Sequence, residues 1–250
     1  MNREGLFTPY RVAEVRIENP KTCTIIFNAP LEDVQPGQYL MAWLPDLDER
    51  PFSISGDDPL AITVADVGPF SHGLIQLDKG DRVWVRGPFG RGFSLTSQSH
   101  MLVGGGYGAA PLSLLAKRAR EKGHRVSVAL GAKTEDDLMM VSAFTAMGCQ
   151  VYTVTEDGSS GLRGVVTAAV EQAFEEWQPG ALYACGPNQM LLALAAYARE
   201  KRLPAQLSFE AMIRCGIGLC GSCELPEAVC AQLGIPPGFL VCHDGPVVHC

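Results

Sequence analysis

Four cysteines near the C-terminus constrain this chain more than any other feature. Cys215 is followed after four residues by Cys220, after two more by Cys223 and after eighteen more by Cys242. A segment that aims three thiolates inward within nine residues cannot be a regular helix or strand. Gly216, Gly218 and Gly221 supply the backbone freedom such a loop needs. Thiolates are soft ligands that suit iron–sulfur clusters and zinc alike. The spacing is that of plant-type [2Fe-2S] loops, whereas zinc sites usually pair two short Cys-x2-Cys knuckles. Cys215, Cys220, Cys223 and Cys242 are therefore the expected metal ligands, with structural zinc as the alternative. Cys230 competes for the fourth place, and the Cys-His-Asp-Gly-Pro turn that begins at Cys242 favours Cys242. Cys23, Cys149 and Cys250 have no partner spacing and read as small buried hydrophobes.

The first residues, Met1 to Pro9, lack the apolar stretch of a secretory signal, and no apolar run approaches the ~20 residues of a membrane span. A cytoplasmic location is expected, where thiols stay reduced and a disulfide framework is disfavoured. With 20 Lys and Arg against 27 Asp and Glu, the formal charge is -7, which disfavours nucleic acid and anionic membranes as partners. An apolar fraction of 47% is ample for buried cores.

From Tyr10 to about Ser97 the chain reads as short strands, such as Arg11–Ile17, Thr22–Phe27, Leu60–Val67 and Arg82–Val85. Turn formers such as Pro36-Gly37 and Lys79-Gly80-Asp81 separate them. With one short helix over Ser71–Leu77, this predicts an N-terminal antiparallel β-barrel. At His100 the texture changes to alternating strand and helix. Strands are expected at Met101–Val103, Arg125–Leu130, Gln150–Thr155, Leu182–Cys185 and Ala205–Phe209. Helices are expected at Ala109–Lys122, Glu135–Ala146, Gly164–Glu176 and Asn188–Lys201. That order predicts a doubly wound parallel-sheet nucleotide-binding unit. After Glu210 the chain is too poor in periodic apolar sequence to build a core of its own. The expected organisation is multidomain β + α/β, with boundaries 1–98, 99–208 and 209–250.

Gly104, Gly105, Gly106 and Gly108 lie between an apolar strand and a helix, in the run Gly-Gly-Gly-Tyr-Gly-Ala-Ala-Pro that ends on Ala110 and Pro111. Missing side chains there let backbone approach a pyrophosphate at the helix start. Cys185-Gly186-Pro187 ends a later strand and points into the same crevice. A tight strand-to-helix turn and an ordinary loop are the plain alternatives. Lys133, Glu135, Asp136 and Asp157 leave NADH against NADPH open, leaning to NAD.

In the barrel, Arg50-Pro51-Phe52-Ser53 could be an ordinary edge strand. Together with the later motifs it is similar to the Arg-x-Tyr/Phe-Ser element of the ferredoxin reductase superfamily. The chain as a whole resembles the electron-transfer subunits of class B dihydroorotate dehydrogenases. Arg-Pro-Phe-Ser, Gly87-Pro88-Phe89-Gly90, the triple glycine, Thr155-Glu156-Asp157-Gly158, Cys-Gly-Pro and the cysteines occur in that order. The resemblance implies that FAD is held between barrel and sheet by Arg50, Pro51, Phe52, Ser53, Val64, Ala65, Asp66, Ser71, His72 and Gly73. It implies NAD(H) on the sheet at the two glycine turns, a C-terminal [2Fe-2S] cluster, and no general acid or base. It further implies an FMN-containing dihydroorotate dehydrogenase catalytic subunit as partner, two of each chain. One departure stands out: Gly68-Pro69-Phe70-Ser71 replaces the family's usual Gly-x-Gly-Thr. An NAD(P)H:ferredoxin oxidoreductase, sulfide dehydrogenase or hydrogenase subunit is the runner-up, and a non-enzymatic redox sensor the rival of another class.

Overall fold

The computed structural model describes residues 5–250. Six antiparallel strands come first: β1 (Thr8–Asn19), β2 (Thr22–Phe27), β3 (Tyr39–Leu44), β4 (Asp48–Asp57), β5 (Leu60–Ala65) and β6 (Arg82–Phe89). They close a barrel in the order β1-β2-β5-β4-β3-β6, with β6 pairing back onto β1. The alternation visible in the sequence turns Ile25, Phe27, Leu40, Ile54, Ile62 and Val83 into the barrel, where all are fully buried. The helix α1 (Pro69–Ile75) follows β5 and starts two residues before the expected position. Pro69 suits its first turn, because the missing N–H would have had no helical partner.

The second unit is a sheet in the order β10-β9-β8-β7-β11-β12-β13. Its strands are β7 (Ser99–Gly105), β8 (Arg125–Ala132), β9 (Gln150–Thr155), β10 (Leu162–Arg163), β11 (Ala181–Cys185), β12 (Ala205–Ser208) and β13 (Val247–His249). The connecting helices are α2 (Ala109–Glu121), α3 (Val141–Ala146), α4 (Val166–Glu176) and α5 (Asn188–Glu200). Each β7 residue chooses a face: Met101 and Val103 pack with α4 and α5, whereas Leu102 packs with α2 and α3. Strand order reverses between β7 and β11, so the crevice at their carboxyl ends is where an α/β sheet of this kind binds its ligand. Among the described residues, no helix is long and apolar enough to cross a membrane.

Two expectations need correction. The helix expected over Glu135–Ala146 is only a tight turn at Glu135–Asp137 followed by α3. Met140 takes a left-handed conformation, φ 60°, between them. Met139 and Met140 are both buried in the cluster that α2 and α3 share. The sheet is also not wholly parallel, because β13 pairs antiparallel with β12. The last residues of the cysteine-rich segment thus return to the sheet. Cys223, Leu225, Leu233 and Val241 are buried in the same apolar cluster as Leu191 and Leu194 of α5, so packing against a neighbour substitutes for a core of its own.

Barrel and sheet are joined by α2. Leu114 completes the barrel core, while Lys117 and Arg118 both reach Asp57 at the end of β4, Lys117 at 3.7 Å. Far from that junction, at the opposite end of β7 from the glycines, fully buried His100 meets His124, Nε2 to Nδ1, at 2.9 Å. Burial, and then the charge of His124, lower the His100 pKa from 6.5 to about 4. The unfolded chain therefore binds the extra proton first. Stability is fully present above pH 6.5 and is lost as pH falls towards about 4. The loss expected across this window is on the order of 3 kcal/mol. Urea unfolding at pH 7 and pH 4.5 checks it: His100→Leu should lose markedly less stability between the two than the unsubstituted chain.

Candidate functional site

A cleft of about 710 Å³ opens between the barrel and the carboxyl ends of β7 and β11. From the barrel come Arg50, Pro51, Phe52, Ser53, Ala65 and Ser71; from the sheet come Ala110, Pro111 and Cys185. The Arg50–Ser53 stretch pairs with β3 on one side, Ser53 opposite Tyr39. Its pairing with β5 starts only at Ile54, so the other flank is a local edge within a closed barrel. This is why Pro51 is tolerated, and that flank forms part of the cleft wall. Arg50 is half exposed and pairs with Asp48 at 2.5 Å.

Phe70, the departure noted above, is buried and stacks on Phe52 at 6.1 Å. Ser71 Oγ accepts the N–H groups of Val67 and Gly68 at 2.9 and 3.0 Å and donates to the Gly68 carbonyl at 3.0 Å. The turn is thus closed by the hydroxyl, and the bulk of Phe70 goes into packing.

Four of the flavin residues implied by resemblance do not line the cleft, and neither do Gly104, Gly105, Gly106, Gly108, Gly186 and Pro187 of the glycine turns. Alternation along β5 turns Thr63 and Ala65 to the cleft and Val64 into the barrel, where it is fully buried. Asp66 and His72 pair with each other at 3.1 Å outside the cleft. Gly73 lies against Leu47, which would sit 2.7 Å from an added Cβ.

The glycine turns meet each other at the switch point. Cys185 sits opposite Gly104 in the sheet. A Cβ on Gly108 would lie 2.0 Å from the Cys185 carbonyl oxygen, and one on Gly105 would lie 2.7 Å from Met190 Sδ. A Cβ on Gly186, at φ 153°, would lie 3.1 Å from the Gly105 backbone. Backbone meets backbone here without intervening side chains, as a pyrophosphate site needs, and the α2 start adjoins it. The Cys185 thiol is pushed up to about 12 by burial, and by the Glu210 carboxylate. It is a neutral wall of the pocket and not a nucleophile. Glu210 itself, though exposed as a residue, lines the cleft and has its carboxyl raised by partial burial. Glu210 and Phe209 follow the carboxyl end of β12, and that position at a strand end was the available signal for both. Tyr39 and Tyr107 also line the cleft without any local motif to mark them.

Beyond Glu210 the chain enters the cysteine loop. Gly218 N–H points at Cys242 Sγ, 3.1 Å away, Leu219 N–H at Cys215 Sγ and Cys242 N–H at Cys223 Sγ, both at 3.4 Å. Such N–H···S contacts stabilise thiolates. The exposed Cys220 thiol is lowered to about 6 by its hydrogen bonds to Ser222. The sulfurs interact chiefly as Cys215 with Cys220 and Cys223 with Cys242, and Cys215 also acts on Cys242. Four cysteine sulfurs, three of them met by backbone N–H groups, are a donor set that suits a [2Fe-2S] centre. Cys230 is buried in α6 (Glu227–Leu233), directed at the Leu225 carbonyl and apart from both pairs.

Comparison with known proteins agrees with this geometry. Residues 102–195 match the oxidoreductase NAD-binding domain family. The chain is 38% identical, over 94% of its length and 88% of the relative's, to a probable dihydroorotate dehydrogenase B (NAD(+)) electron transfer subunit of Methanopyrus kandleri. Its counterpart in Thermococcus kodakarensis is 40% identical over 88% of this chain and 87% of that protein. Among solved structures, an NADH-dependent reduced ferredoxin-NADP oxidoreductase studied for flavin-based electron bifurcation aligns with TM-score 0.83 and 27% identity. That alignment covers 98% of this chain and 89% of the other. A ferredoxin reductase of carbazole 1,9a-dioxygenase shares the fold, at TM-score 0.66 and 19% identity over 79% of this chain and 66% of its own.

Proposed function

We propose that this chain, which belongs to the family of dihydroorotate dehydrogenase B (NAD(+)) electron transfer subunits, moves electrons between NAD(H) and a partner chain through FAD and a [2Fe-2S] cluster. The observation that carries the reading is a continuous route. The cleft lined by Ser53 and Cys185 shares a wall, Tyr39, with the four-cysteine loop. A bound flavin supplies the conversion between a two-electron hydride donor and one-electron steps. The protein's part is to hold and orient. Backbone at Gly104–Gly108 and Gly186 would receive the dinucleotide, Cys185 would bound the nicotinamide pocket, and the cleft flank of Arg50–Ser53 would receive the flavin. Cys215, Cys220, Cys223 and Cys242 would hold the cluster. Neutral Cys185 leaves hydride transfer without a competing nucleophile.

The loop also supplies an exit. Around exposed Cys220 stand Met212, Ile217 and Leu219, which are 64%, 53% and 81% exposed. Apolar side chains displayed beside a redox centre suit a docking face. The partner proposed for it is an FMN-containing dihydroorotate dehydrogenase catalytic subunit, two of each chain. The test is to combine the purified chain with such a subunit and follow NADH formed from dihydroorotate and NAD+. Turnover only when both chains are present supports the reading. Turnover with ferredoxin alone as acceptor would instead place the chain with the NAD(P)H:ferredoxin oxidoreductases.

Arg50 gives a narrower check. Charge-assisted hydrogen bonds are worth about 1.5–3 kcal/mol, so Arg50→Ala should weaken FAD binding by about 10- to 100-fold in a flavin-fluorescence titration. An unchanged affinity would remove Arg50 from the flavin site.

A further inference from the structure

Two barrel side chains tie the cysteine loop to the barrel wall. Tyr39 is buried in β3, and its hydroxyl lies 3.1 Å from the Gly216 carbonyl and 3.1 Å from the Cys242 carbonyl. One O–H shared between these acceptors ties the segment after the first cysteine to the fourth cysteine, and both to the barrel. Gly216, at φ 75°, lies over Met41, and a Cβ there would be 3.3 Å from Met41 Cγ. Gly90, at the end of β6, is equally close-fitting: a Cβ would meet the Gly245 carbonyl oxygen at 2.7 Å and Tyr39 Cε1 at 3.1 Å.

Arg86 of β6 makes the second tie. Its Nη2 donates to the Cys215 carbonyl at 2.8 Å, while Nε meets Glu49 at 2.5 Å and the guanidinium lies 5.2 Å from the Phe89 ring centroid. Only 11% of this side chain is exposed, so its charge acts with little screening by water.

We propose that Tyr39 and Arg86 are positioning residues that clamp the cysteine loop to the flavin-side barrel wall, Tyr39 by joining both halves of the loop and Arg86 by holding a fixed positive charge on the first ligand's carbonyl. The proposal rests on the function proposed above. Because Tyr39 is strand-paired with Ser53 and Phe89, the closed barrel itself sets where the loop sits. A fixed cation favours the more negative, reduced state of a thiolate-ligated centre and so raises its potential.

The test uses the full-length chain, prepared without oxygen, and Tyr39→Phe, which keeps the ring and removes the hydroxyl. Iron release to a chelator should speed up about fivefold, as expected for the loss of one ordinary hydrogen bond. The paramagnetic resonance line shape of the dithionite-reduced centre should change. Arg86→Gln should lower the midpoint potential in a redox titration, and Arg86→Lys should recover most of it. An iron-loaded chain whose Tyr39→Phe variant keeps both line shape and release rate, and whose Arg86→Gln variant keeps its potential, overturns the clamp alone. An unsubstituted chain that never binds iron overturns the clamp and the electron-transfer reading together.

Discussion

The Cys220→Ser variant should lose the iron–sulfur signal completely while NADH still bleaches its flavin. Cys220 is exposed, so the substitution disturbs no core, and its lowered thiol makes it the sulfur most ready to ligate at neutral pH. Serine keeps the hydrogen-bonding pattern with Ser222 but offers an alkoxide-forming oxygen in place of a soft thiolate. Electron delivery to one-electron acceptors should then fall to background, because the only path proposed out of the flavin cleft runs through this loop. Iron content, visible absorption and acceptor reduction on the same preparation check it. Full cluster absorption in this variant would require a different ligand, and Cys230, buried in α6 with its sulfur on the Leu225 carbonyl, is badly placed to be one.

The second large effect is expected at Gly108. Its φ of -63° is ordinary for any residue, so Gly108→Ala carries no backbone strain. Its added methyl would nevertheless stand 2.0 Å from the Cys185 carbonyl oxygen, and neither turn can move without moving its strand. Overpacking of this kind costs about 3 kcal/mol. The displaced turn would also close the path by which backbone approaches a pyrophosphate. Gly106→Ala is the matched control. Gly106 has φ 52° and nothing within 4 Å of an added Cβ, so its cost is the left-handed conformation alone, about 1 kcal/mol. Thermal unfolding of the two variants should therefore separate them clearly, Gly108→Ala losing the more stability. Equal behaviour would mean that contact between the two turns is not what the glycines serve.

These predictions draw on features of different legibility. The glycine run, the Arg-Pro-Phe-Ser stretch and the cysteine spacing are local, and each lies where its pattern points, at a strand end, on a cleft wall and in an irregular loop. Apolar and β-branched runs between turn formers likewise marked β1, β2, β5 and β6, whereas β3 (Tyr39–Leu44) carried no such mark. What local pattern could not reveal depends on distant neighbours. Val64 follows its neighbours in sequence but faces the opposite way from Ala65, a difference that a motif carried over as a block does not show. Met139 and Met140 interrupt a helical run because α2 and α3 bury them, an outcome decided by tertiary packing. Tyr39 reads as one more apolar strand residue, and only the fold sets it beside carbonyls 177 and 203 positions away. The antiparallel return of Val247–His249 is three residues long, too short for any periodic signal.

The central claim is that one chain carries an unbroken path from a nicotinamide cofactor to a C-terminal iron–sulfur centre. The most direct measurement is to purify the protein without oxygen, add NADH, and record flavin absorbance together with the electron paramagnetic resonance spectrum. Bleaching of the flavin followed by the signal of a reduced [2Fe-2S] centre is the predicted result. A preparation that contains zinc at the four cysteines, or that binds NADH without flavin or iron, would contradict it and leave a zinc-stabilised nucleotide-binding protein in its place.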